Sequence, residues 1–143
     1  MRYDGLSVST VTLTITVDNV LYVYHDGGRV VLTDANWPDA HTVSLDAACV
    51  LAVQGVDQGG GYAGILASTS TGVVSDATWK CSSVWHSGWH LADFDDAAWA
   101  QARLFGANGV GPWGYIGGIN SQAKWIWAQG PLGGTVYCRK TLC

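Results

Sequence analysis

From Ser7 to Val17 the chain reads SVSTVTLTITV, and Val11, Leu13, Ile15 and Val17 alternate with Thr10, Thr12, Thr14 and Thr16. Side chains of an extended backbone point alternately to opposite faces, so this period of two predicts a strand with one apolar and one hydroxyl-bearing face. Asp18 and Asn19 then read as a turn, and Val20–Tyr24 (VLYVY) as the next strand. Asp26 and Gly27 separate that strand from Arg29–Leu32, and this dipeptide suits a tight hairpin because both residues tolerate positive φ. Thr33–Ala40, around Trp37 and Pro38, reads as a loop, and His41–Leu45 as a short strand.

Cys49–Val56 (CVLAVQGV) is apolar on both faces, which predicts a central strand covered on two sides. A glycine-rich loop, Asp57–Gly61, leads to a strand at Tyr62–Ala67, a polar turn at Ser68–Gly72 and a further strand across Val74–Ser82. The pattern changes at Asp93–Gly106. There Asp95 or Asp96 can cap a short helix through Ala97–Ala102, with Gly106 at its stop. Gly109–Gly118 is a compact glycine loop, and Lys124–Trp127 and Thr135–Leu142 complete the strands. Eight or nine short strands with no alternation of strand and helix predict an all-β protein. The expected architecture is a single domain over residues 1–143, an antiparallel jelly-roll β-sandwich with at most one short helix.

Composition narrows the picture. Hydrophobic residues make up 48% of the 143 and charged residues 13%, which excludes a disordered chain. All 11 acidic residues are Asp, a residue of turns and caps, and none is the helix-favouring Glu. The net charge of −4 and seven scattered basic residues argue against nucleic acid, which needs clustered cations. No apolar run approaches the ~20 residues of a membrane span, so no membrane insertion is expected. Met1–Asp4 leads straight into a Ser/Thr-rich strand, so a secreted form would be a mature chain or a domain of a longer precursor.

The four cysteines, Cys49, Cys81, Cys138 and Cys143, lack the short spacing of a zinc site. Their even number and wide separation point to two disulfides and an oxidising, extracellular setting, the competing reading being buried free thiols in a cytosolic protein. Residues five apart on one strand lie about 16 Å apart, beyond the ~7 Å a bridge allows between Cα atoms. Cys138–Cys143 and its complement Cys49–Cys81 are therefore disfavoured. Two pairings remain. Cys81–Cys138 with Cys49–Cys143 is preferred to Cys49–Cys138 with Cys81–Cys143, because Cys81 and Cys138 both sit inside predicted strands.

Five segments resemble the galactose-binding-like β-sandwich modules of lectins, secreted glycoside hydrolases and large extracellular proteins. They are TVDNVLYVYHDGG at Thr16–Gly28, CVLAVQGVDQGGGYAGILAS at Cys49–Ser68, SDATWKCSS at Ser75–Ser83, WHLADFDDAAWAQA at Trp89–Ala102, and AKWIWAQGPLGGTVYCRKTL at Ala123–Leu142. Together they cover most of the chain. The WIW segment opens the domain in many relatives and lies near the end here. The resemblance implies a sandwich fold and a broad binding role, and it allows a structural calcium ion. Asp18, Asp57, Asp93, Asp95 and Asp96 are oxygen donors for such an ion, yet no dense ligand motif is present, and their plainer reading is turns and caps.

The residues sort into core and site. Trp79, Trp99, Trp125 and Trp127 match family positions and read as core, with Trp89 and Trp113 similar. Trp37, Tyr62, Trp85 and Tyr115 fall in predicted loops, where an aromatic ring can stack on a sugar while a neighbouring polar group binds hydroxyls. Asp57 beside Tyr62, and His86 beside Trp85, supply such groups. The competing reading folds these rings back over the core. His86 and His90 are four apart with Asp93 beyond, but Ser87 and Gly88 break the helix that a metal pair would need, so no metal site is expected. No catalytic residues are assigned, since no opposed carboxylates, nucleophile elbow or phosphate loop is evident. The expected role is a non-catalytic, secreted glycan-binding module without a cofactor. The alternative is a structural or adhesion module that contacts neighbouring extracellular domains.

Overall fold

The computed structural model describes residues 10–25, 29–34, 39–58, 62–130 and 133–143. The strands among them are β1 (Thr10–Asp18), β2 (Val20–His25), β3 (Arg29–Asp34), β4 (His41–Asp46), β5 (Val50–Asp57), β6 (Gly64–Thr69), β7 (Lys80–Ser82), β8 (Ala100–Gln101), β9 (Arg103–Ala107), β10 (Lys124–Trp127) and β11 (Gly134–Thr141). They form a five-stranded sheet, β4-β1-β6-β10-β9, and a six-stranded sheet, β3-β2-β5-β11-β7-β8. Every strand pair is antiparallel, as expected of a jelly-roll-like sandwich.

The alternation in β1 does what its period demands. Leu13, Ile15 and Val17 are buried between the sheets with Ile65 and Ala67 of β6, facing Leu21, Val23, Leu51, Val53 and Val136 of the other sheet. The central position of the doubly apolar segment is also explained, because β5 is hydrogen-bonded on one side to β2 and on the other to β11. Its second apolar face is needed because Ala52 supports a cluster outside the sandwich, with Trp89 and Trp99.

Two chain segments cover the outer faces. Residues 108–123 lie over the five-stranded sheet and bury Trp113, Ile116 and Ile119 against Leu66 and Trp125. Gly64 makes this possible, since a Cβ there would stand 2.7 Å from the Trp125 ring. Residues 83–99 lie over the six-stranded sheet. Trp79, Trp89, Trp99, Trp113, Trp125 and Trp127 are all buried.

Two expectations are corrected. There is no helix among the described residues. In the segment predicted to be helical, Asp95 Oδ1 accepts the Ala97 N–H in a local turn and Trp99 N–H bonds back to Asp96. The chain then runs as β8 and β9, with Ala102 N–H bonded to Trp79. Asp96 is not a cap, because its carboxylate is taken by Arg139 from β11 at 2.7 Å. The predicted strand Val74–Ser82 shrinks to one bridge at Val74 and the three residues of β7. Between them Ser75 is inserted between β6 and β10: its N–H donates to the Ala67 carbonyl and its carbonyl accepts the Lys124 N–H, while its buried hydroxyl accepts from Ala67 N–H and donates to the Lys124 carbonyl.

Cys81 lies directly opposite Cys138 in the β7–β11 register, and the two are joined. Cys49, just before β5, is joined to Cys143, just beyond β11, where Leu142 N–H also bonds the Cys49 carbonyl. Each bridge closes a long loop, which typically adds ~2–4 kcal/mol of stability.

Candidate functional site

Antiparallel register brings the ends of β1 and β5 together with the starts of β2, β6 and β11 at one end of the sandwich. Asp18 ends β1 and Asp57 ends β5, and both are more than nine-tenths buried. Trp113 Nε1 donates to Asp18 Oδ2 at 2.9 Å, and Asn19 Nδ2 donates to Asp18 Oδ1 at 2.7 Å. Asn19 Oδ1 in turn accepts the Gln58 N–H, which ties this connection to the end of β5. Burial raises the Asp18 pKa above its ordinary value. The hydrogen bond from Trp113 opposes that rise, the negative charge of Asp57 adds to it, and the bond from Asn19 opposes it.

An exposed ring packs against Trp113 at this end. Tyr62 is 59% exposed and meets Trp113 edge-on, with centroids 6.0 Å apart. Trp113 itself is stacked at 4.2 Å on Trp125, so the ring under Tyr62 is fixed from below. Tyr115, on the same loop as Trp113, is 64% exposed.

A cleft of about 420 Å³ opens beyond the end of β7. Ser82, Ser83, Val84 and His86 form one wall, Phe94, Asp95 and Trp99 another, and Ala128 with Gln129 a third. The three rings pack on one another, His86 on Trp99 at 5.5 Å and Phe94 on Trp99 at 5.4 Å. His86 Nδ1 lies 3.0 Å from the Val84 carbonyl. Arg139 holds the wall from behind. It bonds the Leu91 and Phe94 carbonyls and places its guanidinium 5.4 Å from the centre of the Phe94 ring.

The sequence-predicted residues are thus divided between two places. Asp57 and Tyr62 belong to the strand-end layer with Asp18, Asn19 and Trp113, although Asp57 is a buried strand end rather than a loop residue. His86 belongs to the cleft, and Trp85, its neighbour, is 60% exposed. Trp37 lies outside the described residues, as do the Asp26–Gly27 turn and residues 59–61 of the glycine loop. His86 and His90 do not converge: His86 packs on Trp99 and Phe94, whereas His90 packs on Tyr24 and Trp89. Among the described residues no group of three or more His, Cys, Asp or Glu side chains is set to hold a metal ion. The sequence does not mark Trp113, Phe94 or Gln129 as site residues, and it marks Asp18 and Asp95 only as oxygen donors for an ion. Asp18 carried a local signal, in the Asp-Asn pair that reads as a turn, but its partner Trp113 is 95 residues away.

No protein-family model matches the chain, and no solved structure matches it. An α-L-rhamnosidase of Streptomyces avermitilis is 31% identical over 137 aligned residues. The alignment takes in 82% of this chain but only 13% of that enzyme, so the chain is similar to one region of a much longer protein. It is weakly homologous to that region of a glycoside hydrolase. No helix among the described residues is long and apolar enough to cross a membrane.

Proposed function

We propose that the chain is a non-catalytic carbohydrate-binding module of the galactose-binding-like type, working outside the cell, with its sugar seated on Tyr62 at the strand ends. The observation that carries this reading is the Tyr62 ring, exposed and braced by Trp113, whose indole N–H holds the buried Asp18. An aromatic face takes the apolar side of a pyranose while the polar atoms around it take hydroxyls. Similarity to a region of an α-L-rhamnosidase makes rhamnose-bearing glycans the first ligands to try. The non-catalytic part of the reading is supported by the two neighbouring carboxylates. A glycosidase pair flanks an accessible bond, whereas Asp18 and Asp57 are buried, and Asp18 is engaged by Trp113 and Asn19. The two disulfides suit an oxidising compartment.

A second reading, a structural or adhesion module, is favoured by Val84 and Trp85, adjacent in the chain and each 60% exposed. A glycan array containing rhamnosides, followed by calorimetry, separates the two. Retention on the array, with affinity falling about tenfold in Tyr62→Ala, is the expected result. Silence across the array together with self-association of the chain would transfer the assignment to the structural reading.

A further inference from the structure

The cleft beside β7 is on the same end of the sandwich as Tyr62. Gly134 of β11 pairs with Asp57 and, three residues on, Tyr137 pairs with Ser82, where β7 ends and the cleft begins. Gln129, just after β10, reaches it from the other sheet. Only β11 separates β5 from β7. At ~4.8 Å per strand spacing, β7 lies roughly 10 Å across the six-stranded sheet from β5, whereas Tyr62 meets Trp113 over the five-stranded sheet, so a ligand joining the two places crosses the end of the sandwich.

Its free polar atoms are three acceptors, the Ser83 hydroxyl, which can donate or accept, and the second N–H of the Gln129 amide. A carbonyl can only accept, so the His86 Nδ1 that faces Val84 O carries the proton, and in the neutral ring Nε2 is left as an acceptor. Asp95 uses Oδ1 for the Ala97 N–H, which leaves Oδ2. Gln129 donates its Nε2 to the Gln101 carbonyl, which leaves Oε1. Phe94, Trp99 and Ala128 add apolar surface to the lining. Acceptors with two donors beside an apolar surface suit a neutral ligand rich in hydroxyls, which both donate and accept, and a cleft of about 420 Å³ has the size of a small-ligand site.

We infer that this cleft is a second sugar subsite, so that the module grips an extended neutral oligosaccharide across two subsites instead of one terminal sugar. The inference rests on the carbohydrate-binding reading above and adds to it the length of the ligand.

The test is an amide and indole NMR titration of the chain with L-rhamnose and with a linear rhamnotetraose, on the native protein and on Tyr62→Ala, His86→Ala and Gln129→Ala. The tetrasaccharide is expected to bind at least about tenfold more tightly than the monosaccharide, because the second contact becomes intramolecular. It should shift the signals of both Trp113 and Trp99. His86→Ala and Gln129→Ala should each weaken the tetrasaccharide several-fold and leave rhamnose binding at Tyr62 unchanged. Gln129→Ala guards against a folding defect, since that residue is exposed. Shifts confined to the Tyr62 region, with equal affinity for both sugars, would overturn the second subsite and leave the binding reading standing. No shift with either sugar would overturn both.

Discussion

The two segments that cover the outer faces of the sandwich are held by opposite kinds of group. Over the five-stranded sheet the fastener is neutral. Asn108, 8% exposed, donates its Nδ2 to the Ile116 and Ile119 carbonyls and accepts the Ile116 N–H on Oδ1. Over the six-stranded sheet the fastener is a cation, Arg139, 1% exposed, which binds two carbonyls, Asp96 and the face of Phe94. The neutral fastener closes an apolar cap of Trp113, Ile116, Ile119 and Trp125 that extends the core. The charged one closes a thinner cover, in which Trp89 and Trp99 are buried but Val84, Trp85 and His86 are left in solvent beside a cleft. A neutral amide can disappear into a packed cap. A guanidinium needs carboxylate and carbonyl partners around it, and the segment that supplies them is left less filled.

The largest effect is expected where the charge is removed. Arg139→Ala strips partners from two carbonyls and from Asp96, and should cost about 3–4 kcal/mol by urea unfolding. Asp96→Ala should cost clearly less, because that carboxylate is 23% exposed and water replaces part of its pairing. Equal losses in the two variants would show that the ion pair, and not the whole fastener, secures this cover. Asn108→Ala comes next, at about 2–3 kcal/mol, since three buried hydrogen bonds are lost and two buried carbonyls are left without a donor. A loss under 1 kcal/mol would mean that the apolar cap closes without its amide.

This contrast also marks the limit of what the sequence discloses. Short-range periodicity shows β1, the central β5 and the KWIW strand, because each pattern is set by which face meets the core. It fails where a distant partner decides the backbone. Local spacing around Asp95 and Asp96 suits a helix, but Arg139, 43 residues on, takes Asp96 and holds the segment as turns. Ser75 likewise breaks an apparent strand by bonding Lys124, 49 residues away. At the candidate site, Asp57, Tyr62 and His86 stand out as polar or aromatic residues beside predicted loops. Asp18 reads as a turn residue or an oxygen donor, since nothing local signals the indole of Trp113 that holds it.

The apolar cap makes a charged contact through Trp113 to Asp18, and this makes its stability pH-dependent. The folded-state pKa of Asp18 is raised, chiefly by burial. Its contribution is therefore most favourable below the unfolded value of 3.8 and is lost as pH rises through the folded value. Relative to Asp18→Asn, the native protein should gain stability as pH falls from neutral towards about 4. Paired thermal melts across that range check the sign. A difference that is flat, or that runs the other way, would place this end of the cap outside the influence of the carboxylate.

The smallest effects belong to the exposed aromatics, and they test whether the two covers differ at their tips as well as at their fasteners. Tyr115 stands 64% exposed on the apolar cap, and Trp85 stands 60% exposed on the thinner cover. Tyr115→Ser and Trp85→Ser should each change stability by about 0.5 kcal/mol or less, because solvent-facing substitutions away from packed features seldom do more. Near-neutrality at Tyr115 is expected even though the cap is well packed, since Ile116 beside it, 3% exposed, turns into the cluster while Tyr115 faces water. Near-neutrality at Trp85 carries more information. A large ring held in water with no stability benefit is retained at no gain to the fold, which is the pattern expected of a contact residue. A loss above 1 kcal/mol for Trp85→Ser would instead mean that its ring packs over the cleft wall. The two covers would then be equally filled, and the contrast between them would lie in their fasteners alone.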